Sequence, residues 1–363
     1  MNNLPVKRNW FLAALAFFLS LAVVLLLNST PLASAPGAVA SSPSLRSLIG
    51  NRPFYLAAAV KEQPLLSDPM YGQVLAREFN TIMPENDFKF ENLHPDRDKY
   101  DFSTTDRLVT FARTNGMHVR GHTLVWFHAL PRWLLEGNFS REELMAILED
   151  HVKTVVRHYR GQVYAWDVVN EPLNADGSYR DTLWLRSIGP EYIDLAFRWA
   201  HEADPEALLF LNDYGEGMSA KSDNLYSLLQ DLVSRKVPID GIGFQMHVGF
   251  LSSDNPPEVA ENMKRIGELG LEVAFTETDI PIAKLPGKTE AEKLAQQARL
   301  YGEFLQICLD APNCHTFGMW GFTDRYSWIK NFKGTPDAPL IFDVDYRPKP
   351  AHQAMVEVLQ KWR

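Results

Sequence analysis

The residues of this chain that could do chemistry together are two glutamates, each at the end of an apolar, β-rich run. Glu171 closes Trp166-Asp167-Val168-Val169-Asn170-Glu171-Pro172, and Glu277 lies in Phe275-Thr276-Glu277-Thr278-Asp279-Ile280. Neither run has a helical period, so both read as strands, and Pro172 stops the first. A lone Asn-Glu-Pro is more often a surface loop whose Glu pairs with a nearby cation. Two carboxylates on separate strand tips are different. Acid/base-plus-nucleophile attack on a glycosidic bond needs one carboxyl kept protonated and one ionised. A separation of about 5–5.5 Å between them would make that chemistry retaining.

Such a pair has to be mounted on a frame. Short apolar runs at 54–58, 81–83, 118–123, 163–169, 208–212, 241–245, 272–276 and 316–320 predict strands. Amphipathic runs at 105–114, 141–159, 190–201, 222–235, 258–268 and 291–309 predict helices between them. This alternation predicts a single (β/α)8 TIM barrel over residues 45–363, after a linker at 41–50. A doubly wound open sheet is the competing frame. It would want a Gly-rich phosphate loop after its first strand, and none follows residues 54–58.

A barrel places its chemistry just past the C-terminal ends of its strands. Those positions hold Glu85, Asn86 and Lys89; His122 and Trp126; Asn170 and Glu171; Asn212, Asp213 and Tyr214; Gln245 and His247; Glu277; and Trp320, Asp324 and Trp328. Carboxylates, hydroxyl-binding amides, imidazoles and Trp faces together suit a carbohydrate. Each has a plainer reading. His122 alone would be a satisfied core histidine, Lys89 could merely pair with Glu85, and Trp320 and Trp328 could be core. His247 is a metal ligand by type, but its neighbours offer amides and Glu, so a hydrogen bond to Glu277 is the better expectation.

Composition narrows the partners. The 363 residues carry a formal charge of −9 and no basic run, which argues against a nucleic-acid partner. Lys7 and Arg8 precede an apolar run over 10–27, followed by Ala33-Ser34-Ala35 and Ala38-Val39-Ala40. Residues 1–40 therefore read as a signal peptide, with an uncleaved membrane anchor as the alternative. The location expected is secreted or periplasmic, with tethering through 10–27 if the segment is not cut. In an exported chain Cys308 and Cys314, the only cysteines, are a candidate disulfide, against two unrelated buried thiols. No ligand cluster with metal spacing and no phosphate loop is present, so neither a metal nor another cofactor is expected.

In their order and spacing these motifs resemble glycoside hydrolase family 10, the retaining endo-β-1,4-xylanases, over nearly all of 45–363. The matching segments are Pro84 to Phe90, Arg120 to Trp126, Trp166 to Pro172, Leu211 to Tyr214, Asp240 to His247, Phe275 to Ile280 and Met319 to Ile329. The resemblance implies Glu277 as nucleophile, Glu171 as acid/base, Asn170 on the sugar 2-hydroxyl and His247 hydrogen-bonded to the nucleophile. It implies that His122, Lys89, Trp126, Gln245, Trp320 and Trp328 line the reacting subsite, that Glu85 and Asn86 line the next glycone subsite, and that Cys308 and Cys314 are bonded. Tyr214, in the matched Leu211 to Tyr214 segment, joins this substrate-binding set. The substrate implied is xylan or xylo-oligosaccharides, acted on by a monomer.

Two departures bear on specificity. After Trp126 the family continues His-x-Gln-Leu-Pro, where this chain has Phe127-His128-Ala129-Leu130-Pro131; the entry motif reads Met83-Pro84-Glu85-Asn86. The missing Gln normally contacts the second glycone sugar, a hydrogen bond worth about 1 kcal/mol. The alternatives left open are a related retaining β-glycosidase of glucosidic or other plant-glycoside preference, and a non-catalytic carbohydrate-binding barrel.

Overall fold

The computed structural model describes residues 43–253 and 255–362. The expected leader, residues 1–40, lies outside them. Eight parallel strands close in sequence order: β1 Tyr55–Val60, β2 Thr81–Pro84, β3 His118–Val125, β4 Ala165–Asn170, β5 Leu208–Asp213, β6 Gly241–Phe244, β7 Glu272–Thr278 and β8 Cys314–Met319. Helices lie between successive strands, so the fold is a (β/α)8 TIM barrel. No helix of the described residues is long and apolar enough to cross a membrane.

Each strand forms where the sequence is apolar and buried on both faces, as parallel strands under a helical shell must be. Val168, Val169, Leu209, Leu211, Ile242, Val273 and Phe275 are all at most 1% exposed. The long helices are begun by their own sequence. Ser140 and Glu143 form a capping box at Arg141–His158, and Thr289 and Glu292 form another at Glu290–Asp310. The last helix, Pro350–Lys361, packs against Glu290–Asp310 and also meets the first, Leu45–Ile49, tying the two ends of the described chain together.

Register delivers the polar residues to one level. Asn170 pairs with Asn212, Asn212 with Gly243, and Gly243 with Ala274 across β4 to β7. The ladders slip between His122 and Val125, between Asp167 and Val169, and between Phe275 and Thr278. Such irregularities re-aim side chains. Here they flank the strand ends that carry His122, Glu171 and Glu277.

Glycine is required at one of these positions. A Cβ on Gly243 would lie 2.1 Å from Asn212 Oδ1 and 2.9 Å from Thr276 Cγ2, so β6 leaves room for Asn212 to reach past it to β7. Cys308, in the helix before β8, and Cys314, the first residue of β8, form a disulfide with their Cα atoms 5.2 Å apart.

Candidate active site

Glu277, on β7, is buried at the top of the barrel with its side chain 5% exposed. Asn212 Nδ2 donates to its Oε1 at 2.7 Å, and His247 Nε2 donates to its Oε2 at 3.2 Å. His122 Nδ1 stands 4.0 Å from Oε1. Burial alone would push this carboxyl up, but the His247 hydrogen bond, the field of His122 and the Asn212 amide outweigh it and hold the group below the ordinary value. Glu277 is therefore ionised through neutral pH.

His247 is itself held by Asp279, whose Oδ1 accepts from Nδ1 at 3.0 Å, while Trp328 Nε1 donates to Asp279 Oδ2 at 2.7 Å. Burial disfavours the imidazolium, yet Asp279 and Glu277 together carry its pKa up to about 10. A protonated ring thus sits between two carboxylates.

Glu171 is furnished differently. It follows β4 in a left-handed conformation, φ 52°. Gln245 Nε2 donates to its Oε1 at 3.0 Å and Asn170 Nδ2 approaches the same oxygen at 3.3 Å. Arg180 donates through Nε to the Glu171 carbonyl at 3.1 Å and holds Nη2 3.7 Å from Oε2. The Glu171 side chain is 16% exposed, more open than Glu277.

The two carboxylates share a cavity of about 560 Å³ with Glu85, Asn86, Lys89, His122, Trp126, Asn170, Gln245, His247, Trp320 and Trp328. Lys89 Nζ donates to Asn86 Oδ1 at 2.7 Å and lies 4.9 Å from the Trp126 ring centre. Burial pushes the Lys89 ammonium down, and Glu85, Glu277 and Glu171 oppose that. Burial raises Glu85, and Lys61, 3.3 Å away, pulls it back. His122 is fixed from below: Asp167 Oδ2 accepts from its Nδ1 at 3.0 Å, and Asp167 Oδ1 accepts from Arg120 at 2.6 Å.

Of the strand-end candidates, Asn212, Asp213 and Asp324 do not line this cavity, nor does Tyr214. Arg180 Nη2 donates to its hydroxyl at 3.2 Å, so it stands behind Glu171. In the departing segment after Trp126, Ala129 turns its backbone (φ 53°) and accepts the Glu91 N–H at 2.9 Å, while Phe127 carries the Arg180 guanidinium 4.3 Å from its ring centre. Neither lines the cavity, but His128, between them, does. Three residues with central positions were not among the site candidates: Asp279, Asp167 and Arg180. Asp167 and Asp279 stand within the singled-out motifs, a signal that they serve the site; Arg180 lay beyond any of them.

Among the described residues no group of three or more His, Cys, Asp or Glu is arranged to hold a metal. What the cavity can do is acid/base and nucleophilic chemistry on a polyhydroxylated ligand. The comparisons agree with that chemistry. The family model described as glycosyl hydrolase family 10 matches residues 44–358. An endo-1,4-beta-xylanase B of Thermotoga neapolitana is 46% identical over 294 residues, 80% of this chain and 84% of its own length. A beta-1,4-xylanase of Dictyoglomus thermophilum is 40% identical, covering 87% of this chain and 91% of its own. Xylanase 10B of Thermotoga petrophila RKU-1, solved in complex with xylobiose, superposes with a TM-score of 0.83 at 44% identity over 88% of this chain and 97% of that one. The match runs through both strand-end glutamates and the whole barrel that carries them, and the chain belongs to glycoside hydrolase family 10.

Proposed function

We propose that this chain is a retaining, endo-acting hydrolase of β-1,4-xylosidic bonds, with Glu277 as nucleophile and Glu171 as acid/base. The observation that carries the assignment is the contrast between the two carboxylates. Glu277 is buried and stabilised in its charged form by Asn212 and His247. Glu171 is the more open of the two, free to exchange a proton with substrate and water. The xylanase names of the relatives at 46% and 40% identity support xylan as the polymer.

The steps follow from these positions. A Glu277 oxygen bonds to the anomeric carbon as the bond from that carbon to the leaving oxygen breaks, and the Glu171 proton passes to that oxygen. Glu171, now ionised, takes a proton from water, whose oxygen attacks the anomeric carbon and displaces Glu277. Two displacements return the starting configuration. In the first step Asn170, its Oδ1 already accepting from Asn212 at 2.8 Å, presents its NH2 to the sugar 2-hydroxyl.

Incubation with xylan and with cello-oligosaccharides, followed by chromatography and proton NMR, tests this. Short β-anomeric xylo-oligosaccharides appear first; release from glucosides alone refutes the xylan assignment. Glu277→Gln loses essentially all turnover, and near-wild-type turnover by that variant refutes the nucleophile role. The protein also acts as an exported monomer, its leader 1–40 removed, as Lys7, Arg8 and the apolar run 10–27 support. Sequencing the N-terminus of the mature protein checks the cleavage, and light scattering checks the monomer.

A further inference from the structure

Arg180 faces Glu171 across 3.7 Å, from Nη2 to Oε2, and the fold of its own loop brings it there. Past Pro172 the chain turns back on itself. Leu173 bridges Tyr179, Asp176 accepts the Ser178 N–H at 2.9 Å in the turn, and the Arg180 N–H donates to the Pro172 carbonyl at 2.8 Å. The hairpin returns Arg180 to the residue from which the loop set out.

A guanidinium and a carboxylate that are free to turn close to about 2.7–2.9 Å. These two do not, because the guanidinium is committed elsewhere. Nε donates to the Glu171 carbonyl and Nη2 to the Leu173 carbonyl, both at 3.1 Å, and Nη2 also donates to the Tyr214 hydroxyl at 3.2 Å. Arg180 Cζ lies 4.3 Å from the Phe127 ring centre, so one face of the cation rests on that ring. The partners are held in turn. Lys221 Nζ sits 2.9 Å from the Tyr214 ring centre, donates to the same Leu173 carbonyl at 3.3 Å and pairs with Asp213 at 2.7 Å. Closing on Oε2 would break both Nη2 bonds and lift the guanidinium off Phe127. Where the family has His after Trp126, this chain has Phe127, an uncharged face on which a cation can rest.

The distance matters because an acid/base has to exist in both protonation states during one turnover. A hydrogen-bonded ion pair would hold Glu171 as the carboxylate and remove the acid. With no cation at all, the carboxylate formed in the first step would lack a counter-charge. We propose that Phe127, Tyr214 and the Leu173 carbonyl form a cradle that keeps Arg180 at a stand-off from Glu171, near enough to favour its carboxylate and too far to bond it. This rests on the assignment of Glu171 as acid/base above. Phe127, Tyr214 and Arg180 are then positioning residues. Other titratable groups face the pair: Lys89 after β2, Asp213 on β5 and Glu277 on β7 around Glu171, and Tyr192, a phenol that burial keeps neutral, beside Arg180. His128 lies against Phe127, with ring centres 4.0 Å apart. All of these remain in the variants below and cancel in the comparison.

The test is the pH titration of the Glu171 carboxyl by 13C NMR, its signal identified with Glu171→Gln, beside the pH profile of kcat/KM on xylo-oligosaccharides. Two substitutions on one contact are expected to act in opposite directions. Arg180→Gln removes the cation, and the Glu171 titration and the alkaline limb move to higher pH, by about half a unit to one unit for so partly exposed a pair. Phe127→Ala frees the guanidinium to close on Oε2, and both move to lower pH. Phe127→Leu, which keeps apolar bulk without a ring face, moves them the same way, and Phe127→Tyr restores the wild-type profile. A dinitrophenyl xyloside, whose leaving group departs without a proton, shows no such shift in kcat/KM; a uniform rate loss that includes it, with the titration unmoved, means a merely structural role and overturns the cradle. A Glu171 titration that stays put in both Arg180→Gln and Phe127→Ala, or moves the same way in both, also overturns it. If the wild-type alkaline limb does not follow the Glu171 titration, the acid/base assignment is what fails, and the NMR titrations of the variants then judge the cradle alone.

Discussion

Asn212 and Gln245 hold the two glutamates in opposite senses. The Asn212 carbonyl accepts the Glu171 N–H at 2.8 Å while its side chain donates to the Glu277 carboxylate at 2.7 Å. The Gln245 carbonyl accepts the Glu277 N–H at 3.0 Å while its side chain donates to the Glu171 carboxylate at 3.0 Å. Each amide residue fixes the backbone of one glutamate and the carboxylate of the other. The relative placement of the pair is thus set by two residues, one on β5 and one just past the end of β6, between the strands that carry the glutamates.

Asn212 is the stronger of the two in effect. Its Oδ1 accepts from Thr276 Oγ1 at 2.8 Å, which turns its NH2 towards both Glu277 and Asn170. Asn212→Ala removes a donor to an ionised carboxylate, a contact worth about 1.5–3 kcal/mol. A kcat loss of roughly 10- to 150-fold follows if that stabilisation is felt in the transition state. The donor favours the charged form of Glu277, so its loss raises that pKa and moves the acid limb of the kcat/KM profile to higher pH. An unmoved acid limb would show that Asn212 does not tune the nucleophile.

Gly243→Ala should reproduce part of that defect without touching a polar group. The added Cβ meets Asn212 Oδ1 at 2.1 Å in a strand closed on both sides, so Asn212 has to move. Overpacking of this kind costs about 1–3 kcal/mol of stability. The expected outcome is a lower Tm together with a kcat loss in the direction of Asn212→Ala. A Tm loss with unchanged kcat would mean that Asn212 can shift without releasing Glu277.

The disulfide closes a loop between Cys308 and Cys314, whose sequence separation is 6. Chain-entropy bookkeeping for so short a loop gives about 2 kcal/mol. The Cys308→Ala/Cys314→Ala double variant therefore melts a few degrees lower in scanning calorimetry, with full activity, because the bridge sits at the start of β8, away from the strand ends that carry the catalytic pair. Wild-type protein with a reductant should match it.

All eight strands were legible because parallel barrel strands are short, apolar and buried on both faces, a local property. Five of their starts, at 81, 118, 208, 241 and 272, coincide with the observed ones, and the other ends are off by one or two residues. The run predicted at 316–320 begins at Cys314 and ends at Met319, since Cys314 is buried by its disulfide and Trp320 turns into the cavity. Pro69–Glu78 was missed although Asp68 caps it and Pro69 opens it, because Gly72 and the clustered prolines argue for a loop. The cavity residues were legible as polar or aromatic side chains at strand ends. Of what they bond to, the His247 contact with Glu277 was expected and is found; most of the rest was not legible. Asn212 reaches Glu277 across an intervening strand, and Tyr214, two residues on, faces Arg180 instead of the cavity. Those directions depend on register and bulges between strands distant in sequence.

His247 links the site to stability. The folded chain keeps its imidazolium protonated up to about pH 10, whereas an unfolded histidine loses its proton near 6.5. A folded pKa raised in this way contributes stability that is fully present below about pH 6.5 and is lost as the pH climbs through about 10. Other groups titrate in that window too, Asp213 among them, pushed up to about 7 by burial against the pull of Lys221. The informative quantity is therefore the Tm difference between wild type and His247→Gln, in which those groups cancel. Glutamine can donate to Glu277 or to Asp279 but carries no charge between them. The difference is largest at pH 6, where the wild-type imidazolium neutralises two buried carboxylates, and closes towards pH 10. A gap that stays constant from pH 6 to pH 10 would mean that a neutral ring holds Glu277, and the nucleophile's ionisation would then rest on Asn212 and His122 alone.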